Sequence, residues 1–246
     1  MPPSSAKSVS GTQPPQQSRA LLATIRKADP DRYFCSLFAP AEKCEGLWLL
    51  YAFNHELARA REVASAPPLA LIRLTWWREV VAGAEKPHEV ATPLAAALRA
   101  GWFAPDDLAA LIDAREAEAE DDIPDFESFM NFARGTAGRL ARIAGKFLGA
   151  DAQEVENAGT AYGISGILRA APFVARQGRS LLPADGTGAP RLIEAARALL
   201  PARVPRPALP AALPAIYARR DLGRPYRARG VADKLAVLRA AITGQF

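Results

Sequence analysis

The sequence predicts an all-α fold in a single domain, and three observations carry that reading. Alanine, leucine and arginine are abundant while threonine, isoleucine and tyrosine are sparse, a balance that favours helix over strand. From Arg19 onward apolar residues recur every three or four positions, and no stretch of useful length alternates in the manner of a strand. A chain of 246 residues, half of them hydrophobic, is also long enough to bury one large core.

The elements follow from where that periodicity breaks. Residues 1–18 are rich in proline, serine and glutamine with no apolar run that would serve as a secretory signal, and they read as a disordered tail ahead of a helical domain over 19–246. Helices are predicted over 18–28 and 41–62. Pro67 and Pro68 then break the chain before a helix over 69–84. Two shorter helices cover 93–100 and 105–120, and the acidic stretch 116–125 with Pro124 interrupts the pattern. A long helix is predicted over 126–148 and another over 152–170, which Pro172 should stop or kink by removing an amide donor and crowding the preceding turn. A loop rich in glycine and proline spans 177–190. Helices over 191–200, 212–220 and 233–242 complete the series, with no internal repeat.

Charge and cysteine usage exclude several classes. The formal net charge is +5, but acidic residues are interspersed through most of the chain, so a dedicated nucleic-acid binder is not expected. A mild basic excess fits an anionic membrane surface or a diphosphate substrate equally well. Cys35 and Cys44 fall in apolar helical surroundings and read as reduced, buried thiols. The two histidines, His55 and His88, and the cysteines show no CxxC or HxxxH spacing, so no zinc site is expected. No run approaches the roughly 20 apolar residues that cross a bilayer, the nearest being 69–77, which Arg73 interrupts. A cytoplasmic location is expected, with any membrane contact peripheral and on the inner face.

Four blocks in register resemble a known family. They are Arg32-Tyr33-Phe34-Cys35-Ser36-Leu37-Phe38-Ala39-Pro40 with Leu50-Tyr51-Ala52-Phe53; Leu74-Thr75-Trp76-Trp77-Arg78-Glu79; Gly135-Thr136-Ala137-Gly138; and Gly166-Ile167-Leu168-Arg169 with Gly178-Arg179-Ser180-Leu181-Leu182-Pro183. In order and spacing these resemble the squalene and phytoene synthases over residues 31–183. The resemblance implies a helical bundle of the isoprenoid synthase type around a central apolar cavity. It also implies head-to-head joining of two prenyl diphosphates, with magnesium bridging the diphosphate to two aspartate-rich motifs. Magnesium prefers hard oxygen ligands in near-octahedral array, which carboxylates on facing helices supply.

Both motifs are degenerate in this chain. Where the resemblance implies Asp-Asp-x-x-Asp after an arginine, the sequence reads Asn54-His55-Glu56-Leu57-Ala58-Arg59-Ala60-Arg61-Glu62, so that His55 takes the arginine position and Ala58, Arg59 and Glu62 take the acidic ones. His55, Arg59 and Glu62 share one helix stripe, with Arg59 in reach of Glu62. That stripe reads either as a self-satisfied polar face or as an anion pocket of His55, Arg59 and Arg61. In the second motif the positions of Gln, Asn and the two aspartates hold Gly163, Gly166, Ala170 and Val174, and only Arg169 survives. The glycines and alanines read as points of close helix packing. Arg169 and Arg179, with Arg176, offer a second candidate anion site.

Several residues keep two readings. Asp121-Asp122-Ile123-Pro124-Asp125 fits Asp-Asp-x-x-Asp literally, yet it lies between helices and contains a proline, so Asp125 reads as a cap for the next helix. Tyr51, Phe53, Trp76, Trp77 and Trp102 would line a prenyl cavity, where aromatic faces steady a carbocation, or fill a core. Gly135 and Gly138 read as contacts between close helices.

The stretches Ala52-Phe53-Asn54-His55-Glu56-Leu57-Ala58 and Leu168-Arg169-Ala170-Ala171-Pro172 are similar to a divergent branch of the family that includes a mitochondrial respiratory complex I assembly factor. That resemblance implies an assembly or scaffold role among respiratory complex subunits without a cofactor. Two alternatives remain: a prenyl-diphosphate transferase using Mg²⁺ on unconventional ligands such as Glu62, Asp113 or the Asp121 cluster, and a binder of a lipid or prenyl chain.

Overall fold

The computed structural model describes residues 16–62, 67–116 and 123–246. Thirteen α-helices occur among them: α1 Gln16–Ala28, α2 Pro30–Ser36, α3 Ala41–Glu62, α4 Pro67–Val81, α5 Ala91–Arg99, α6 Pro105–Ala114, α7 Phe126–Ala133, α8 Arg139–Leu148, α9 Gln153–Ala175, α10 Ala189–Ala198, α11 Leu209–Ala212, α12 Pro214–Asp221 and α13 Val231–Thr243. Among the described residues the sole extended pairing is a single bridge between Ile123 and Pro183. The all-α prediction therefore holds.

Helix α3 explains why one core forms. Its residues 47–53 read Leu-Trp-Leu-Leu-Tyr-Ala-Phe with no polar face, and a helix apolar all round has to be enclosed. Helices α1, α4, α5 and α8 enclose it. Leu47, Leu50, Leu74, Leu94, Leu108 and Leu140 meet there with no solvent exposure to speak of. Each such side chain contributes about 1.5–3 kcal/mol through burial. Smaller clusters form around Phe129, Ile164 and Leu192, and around Cys35, Leu213, Tyr217 and Val237.

The helix predicted over 126–148 is one continuous helical run with a π-helical turn at Arg134–Gly138 between α7 and α8. That turn packs on α9 with little room: a Cβ on Gly163 would lie 2.5 Å from the Ala137 Cβ, and one on Gly138 would run into the Thr160 hydroxyl. The close-packing reading of Gly138 and Gly163 is thus correct. Gly166 departs from it, because nothing lies within 4 Å of the place its Cβ would take.

Other boundaries differ for identifiable reasons. Helix α2 escapes the periodicity because it has seven residues. Its signal is local: the Asp29 carboxylate accepts the Arg32 N–H at 3.0 Å, and Pro30 stands at the first helical position. Pro67 likewise opens α4 instead of breaking the chain ahead of it. Pro172 does not stop α9, which continues to Ala175; it stands one turn from the end, where the missing amide leaves a single carbonyl without its helical donor. Asp125 caps α7 as expected, accepting the Ser128 N–H at 2.7 Å. Helix α6 ends at Ala114, short of the predicted end at 120, with Arg115 as its C-cap; residues 117–120, Asp121 and Asp122 lie outside the described residues, as do residues 1–15 of the expected tail, whereas 16–18 already belong to α1. Trp102 does not join the core; it is 38 % exposed and leans on Phe147. Cys35 and Cys44 are free, buried thiols.

Candidate functional site

Helices α2, α9 and α12 and the segment before α13 converge around a cavity of about 560 Å³ whose edge carries Asp31, Tyr162, Gly166, Arg169, Asp221 and Arg229. Gly166 without a side chain opens its floor. Asp221, the last residue of α12, is buried and accepts a 2.7 Å contact from Arg169 and another at 2.7 Å from Arg229. Arg229 also reaches across to Asp31, at 2.8 Å from one terminal nitrogen and 3.0 Å from Nε. The Tyr162 phenol donates to the same Asp31 at 3.2 Å. Burial, and then the negative charge of Asp29 and Asp31, hold that phenol well above its usual pKa, so it remains a donor. Arg32 lies 4.8 Å from the Tyr162 ring and 5.9 Å from the Tyr51 ring, stacking between α9 and α3 while its guanidinium pairs with Asp29 at 2.7 Å.

A second carboxylate knot adjoins the first. Asp233 is fully buried at the start of α13 and accepts from Arg220 at 2.7 Å, from Arg227 at 2.5 Å and 2.8 Å, and from the Gly230 N–H at 2.9 Å. The Arg227 hydrogen bond above all, with the Gly230 and Arg220 bonds beside it, holds its carboxyl well below the usual carboxylate range. Asp31, Asp221 and Asp233 therefore each spend their oxygens on guanidinium groups. This lattice ties helices from both ends of the chain together across up to 198 residues of sequence.

The predicted site residues divide between two places. On α3, Tyr51 and Phe53 are packed core, with the Phe53 ring edge-on to Trp77 at 5.3 Å. His55, Ala58 and Arg61 are half-buried, and Arg59 is exposed and pairs with Glu56 at 3.2 Å. The Glu62 side chain, and with it the expected Arg59–Glu62 pair, lies outside the description. Glu56 and Arg59 share a pocket of about 300 Å³ with Trp76, Trp77 and His88. On α9, Gly166 and Arg169 face the 560 Å³ cavity, and Ala170 and Val174 are half-buried further along. Arg179 is half-buried beyond the helix end, off that cavity's lining. Arg169 is committed to Asp221 and does not serve as a free anion ligand beside Arg179.

Among the described residues the side chains do not fit a magnesium–diphosphate centre. Of the five implied acidic stations, four hold Ala58, Arg59, Ala170 and Val174, which bring no carboxylate; the fifth holds Glu62, whose side chain lies outside the described residues, and the carboxylates nearest the cavity are paired with arginine. Among the described residues no group of three or more His, Cys, Asp or Glu side chains is arranged to hold a metal ion. Asp113, one of the unconventional ligands considered, pairs with Arg78 at 2.8 Å on an exposed surface. Sequence reasoning missed Asp31, Tyr162, Asp221, Arg229 and Asp233. Of these, only Asp221 and Arg229 carry a visible signal, the arginine-dense run Asp221-Leu222-Gly223-Arg224-Pro225-Tyr226-Arg227-Ala228-Arg229.

The squalene/phytoene synthase family model matches residues 25–189. The chain is 32 % identical over 176 residues to "NADH dehydrogenase (ubiquinone) complex I, assembly factor 6" of Bos taurus, covering 68 % of this chain and 53 % of that protein. It is 30 % identical over 173 residues to the Homo sapiens protein of the same name, covering 67 % and 52 %. The chain thus spans about half the length of the curated relatives it matches. Among solved structures, a dehydrosqualene synthase in complex with ligand superposes with a TM-score of 0.71 at 13 % identity, covering 92 % of this chain and 95 % of the other. The squalene synthase HpnC from Alicyclobacillus acidocaldarius does so with 0.68 at 16 %, covering 92 % and 94 %. At these identities the likeness establishes the isoprenoid synthase fold.

Proposed function

This chain belongs to the squalene/phytoene synthase family, and from that premise we propose that it is a catalytically degenerate member that assists assembly of respiratory complex I. One observation carries the reading. Four of the five stations where the family's chemistry needs carboxylates hold Ala58, Arg59, Ala170 and Val174, leaving only Glu62, and the surviving arginine of the second motif is locked to Asp221 at 2.7 Å. A charge lattice that saturates its own acids holds a scaffold together and leaves no cluster of free carboxylates among the described residues to bridge a metal to a diphosphate. The 30–32 % identity to proteins bearing the name of a complex I assembly factor supports the role assigned to that scaffold. On this reading the protein needs no cofactor and works where complex I is built, among its maturing subunits.

The adjoining pocket of about 500 Å³, walled by Leu168, Pro172, Ile193 and Leu222 and sharing Arg169 with the first cavity, favours a lipid or prenyl chain as a metal-free ligand of the same scaffold. The role is tested by deleting the gene and resolving respiratory complexes on native gels. Loss of assembled complex I with accumulation of subcomplexes, restored by re-expression, is expected; normal amounts of assembled complex I in the deletion strain would overturn the proposal.

A further inference from the structure

Helix α13 is held from three sides. Val237 and Ala240 are buried on its inner face, Asp233 anchors its start, and the Arg206 guanidinium donates to the Ala241 and Ile242 carbonyls at its end, at 3.5 Å and 3.3 Å. Its outer face should on that account be polar, and it is not. Val231, Leu235, Leu238 and Ile242 stand at intervals of four, three and four, which places them on one stripe opposite the buried one. Their exposure runs from 40 % at Leu238 to 74 % at Val231.

The charges around that stripe indicate what covers it. At about 100° per residue, exposed Lys234 and Arg239 flank the stripe by roughly 70° on either side. On the Arg239 side a pocket of about 370 Å³ brings Arg219, Arg220 and Arg239 together with Ile216 and Phe246; Arg220 is held by Asp233 at 2.7 Å and Arg219 donates to the Phe246 oxygen at 2.8 Å, while Arg239 is exposed. From residue 201 to the end the chain has nine arginines and lysines against two aspartates, Asp221 and Asp233, both buried; the first 200 residues have 22 basic and 24 acidic residues. The positive charge of the whole protein is therefore concentrated in the segment that bears the apolar stripe.

We propose that α13 lies in the plane of an anionic phospholipid surface, with its four apolar side chains below the headgroups and Lys234 and Arg239 at headgroup level. An apolar stripe bordered by cations is the arrangement an interfacial helix needs, since apolar burial and attraction to acidic lipid add. Among the described residues no helix is long and apolar enough to cross a membrane, so the contact is at the interface. A second copy of the chain is a poorer fit, because a stable protein interface takes about 20–30 residues a side and this stripe offers four. The inference stands independently of the complex I reading, since lipid contact follows from α13 alone.

The test is flotation of the full chain with phosphatidylcholine vesicles and with vesicles containing about 30 % phosphatidylglycerol, at low and physiological salt, alongside L235S/I242S and K234Q/R239Q. The wild type should bind the acidic vesicles and not the neutral ones. L235S/I242S should weaken binding at least about tenfold, and K234Q/R239Q should weaken it about fivefold per cation removed at low salt and by less as salt rises. The four positions are exposed, so melting temperature and helical circular dichroism should not change. Failure to bind acidic vesicles, binding indifferent to the α13 substitutions, or a vesicle-free dimer that dissociates in L235S/I242S would overturn the proposal.

Discussion

Replacing Asp221 with asparagine removes one charge and almost no volume, so its effect isolates the electrostatic role of the lattice. The carboxylate retains 6 % of its side-chain exposure and joins Arg169 and Arg229, which retain 22 % and 18 %. Breaking a buried ion pair by deleting one partner costs about 3–5 kcal/mol, mostly because the other charge stays desolvated without compensation. The lower end applies here. Both guanidiniums reach some water, and Arg229 keeps Asp31. A loss of about 3 kcal/mol in a chain of this length lowers the melting temperature by about 6–12 °C. Differential scanning calorimetry of the wild type, D221N, R169M and the double variant gives both the loss and the coupling. R169M/D221N should be more stable than the sum of the single losses implies, with a coupling of about 1–3 kcal/mol. A D221N stability within about 0.5 kcal/mol of wild type, or additive losses, would refute the view that this lattice holds α9 and α12 together.

Three further outcomes follow from the same structure. Gly163→Val pushes a branched side chain against Ala137 across the contact between α9 and the π-helical turn, and should cost at least about 1–3 kcal/mol in urea unfolding, whereas Gly166→Ala, pointing into open space, should change stability by less than about 1 kcal/mol. Burial holds the Cys35 thiol well above its usual pKa, so Ellman's reagent at pH 8 should leave Cys35 unmodified in the folded protein and modify it after denaturation; rapid labelling under native conditions would contradict the packing around α2. Asp233 has a carboxyl pKa lowered by folding, so its contribution is complete above the unfolded carboxylate pKa of about 3.9 and is lost as pH falls from there toward the folded value; the stability gap between wild type and D233N should be constant above about pH 5 and shrink below about pH 4.

The helical fold and most of its elements were legible because they follow from local pattern. Residues 47–53 have no polar face and so predict an enclosed helix, and the proline and glycine clusters mark the joints. Three features escaped for physical reasons. Helix α2 is too short to show a period, and its only mark is Asp29 followed by Pro30. The run through Pro172 depends on that residue's place in the last turn, where a missing donor is cheap. Gly135-Thr136-Ala137-Gly138 announces close packing, but not that the backbone widens there into a π-helical turn.

The site was half legible. The losses at Ala58, Arg59, Ala170 and Val174 are visible in the sequence as departures from a known spacing. What replaces the ligands was not visible. Asp31 and Arg229 are 198 residues apart, and nothing in either neighbourhood tells which arginine of an arginine-rich chain will meet which acid. Arg169 illustrates the difference: as a family remnant it read as an anion ligand, and as a folded residue it is a strut to Asp221.

The central claim, that this scaffold has exchanged metal-dependent prenyl chemistry for a structural charge lattice, is tested most directly by titrating farnesyl diphosphate into the purified protein with and without Mg²⁺ and analysing the same samples for condensed products. The account predicts heats that do not depend on magnesium and recovery of farnesyl diphosphate unchanged. Magnesium-dependent binding together with a head-to-head condensation product would contradict it.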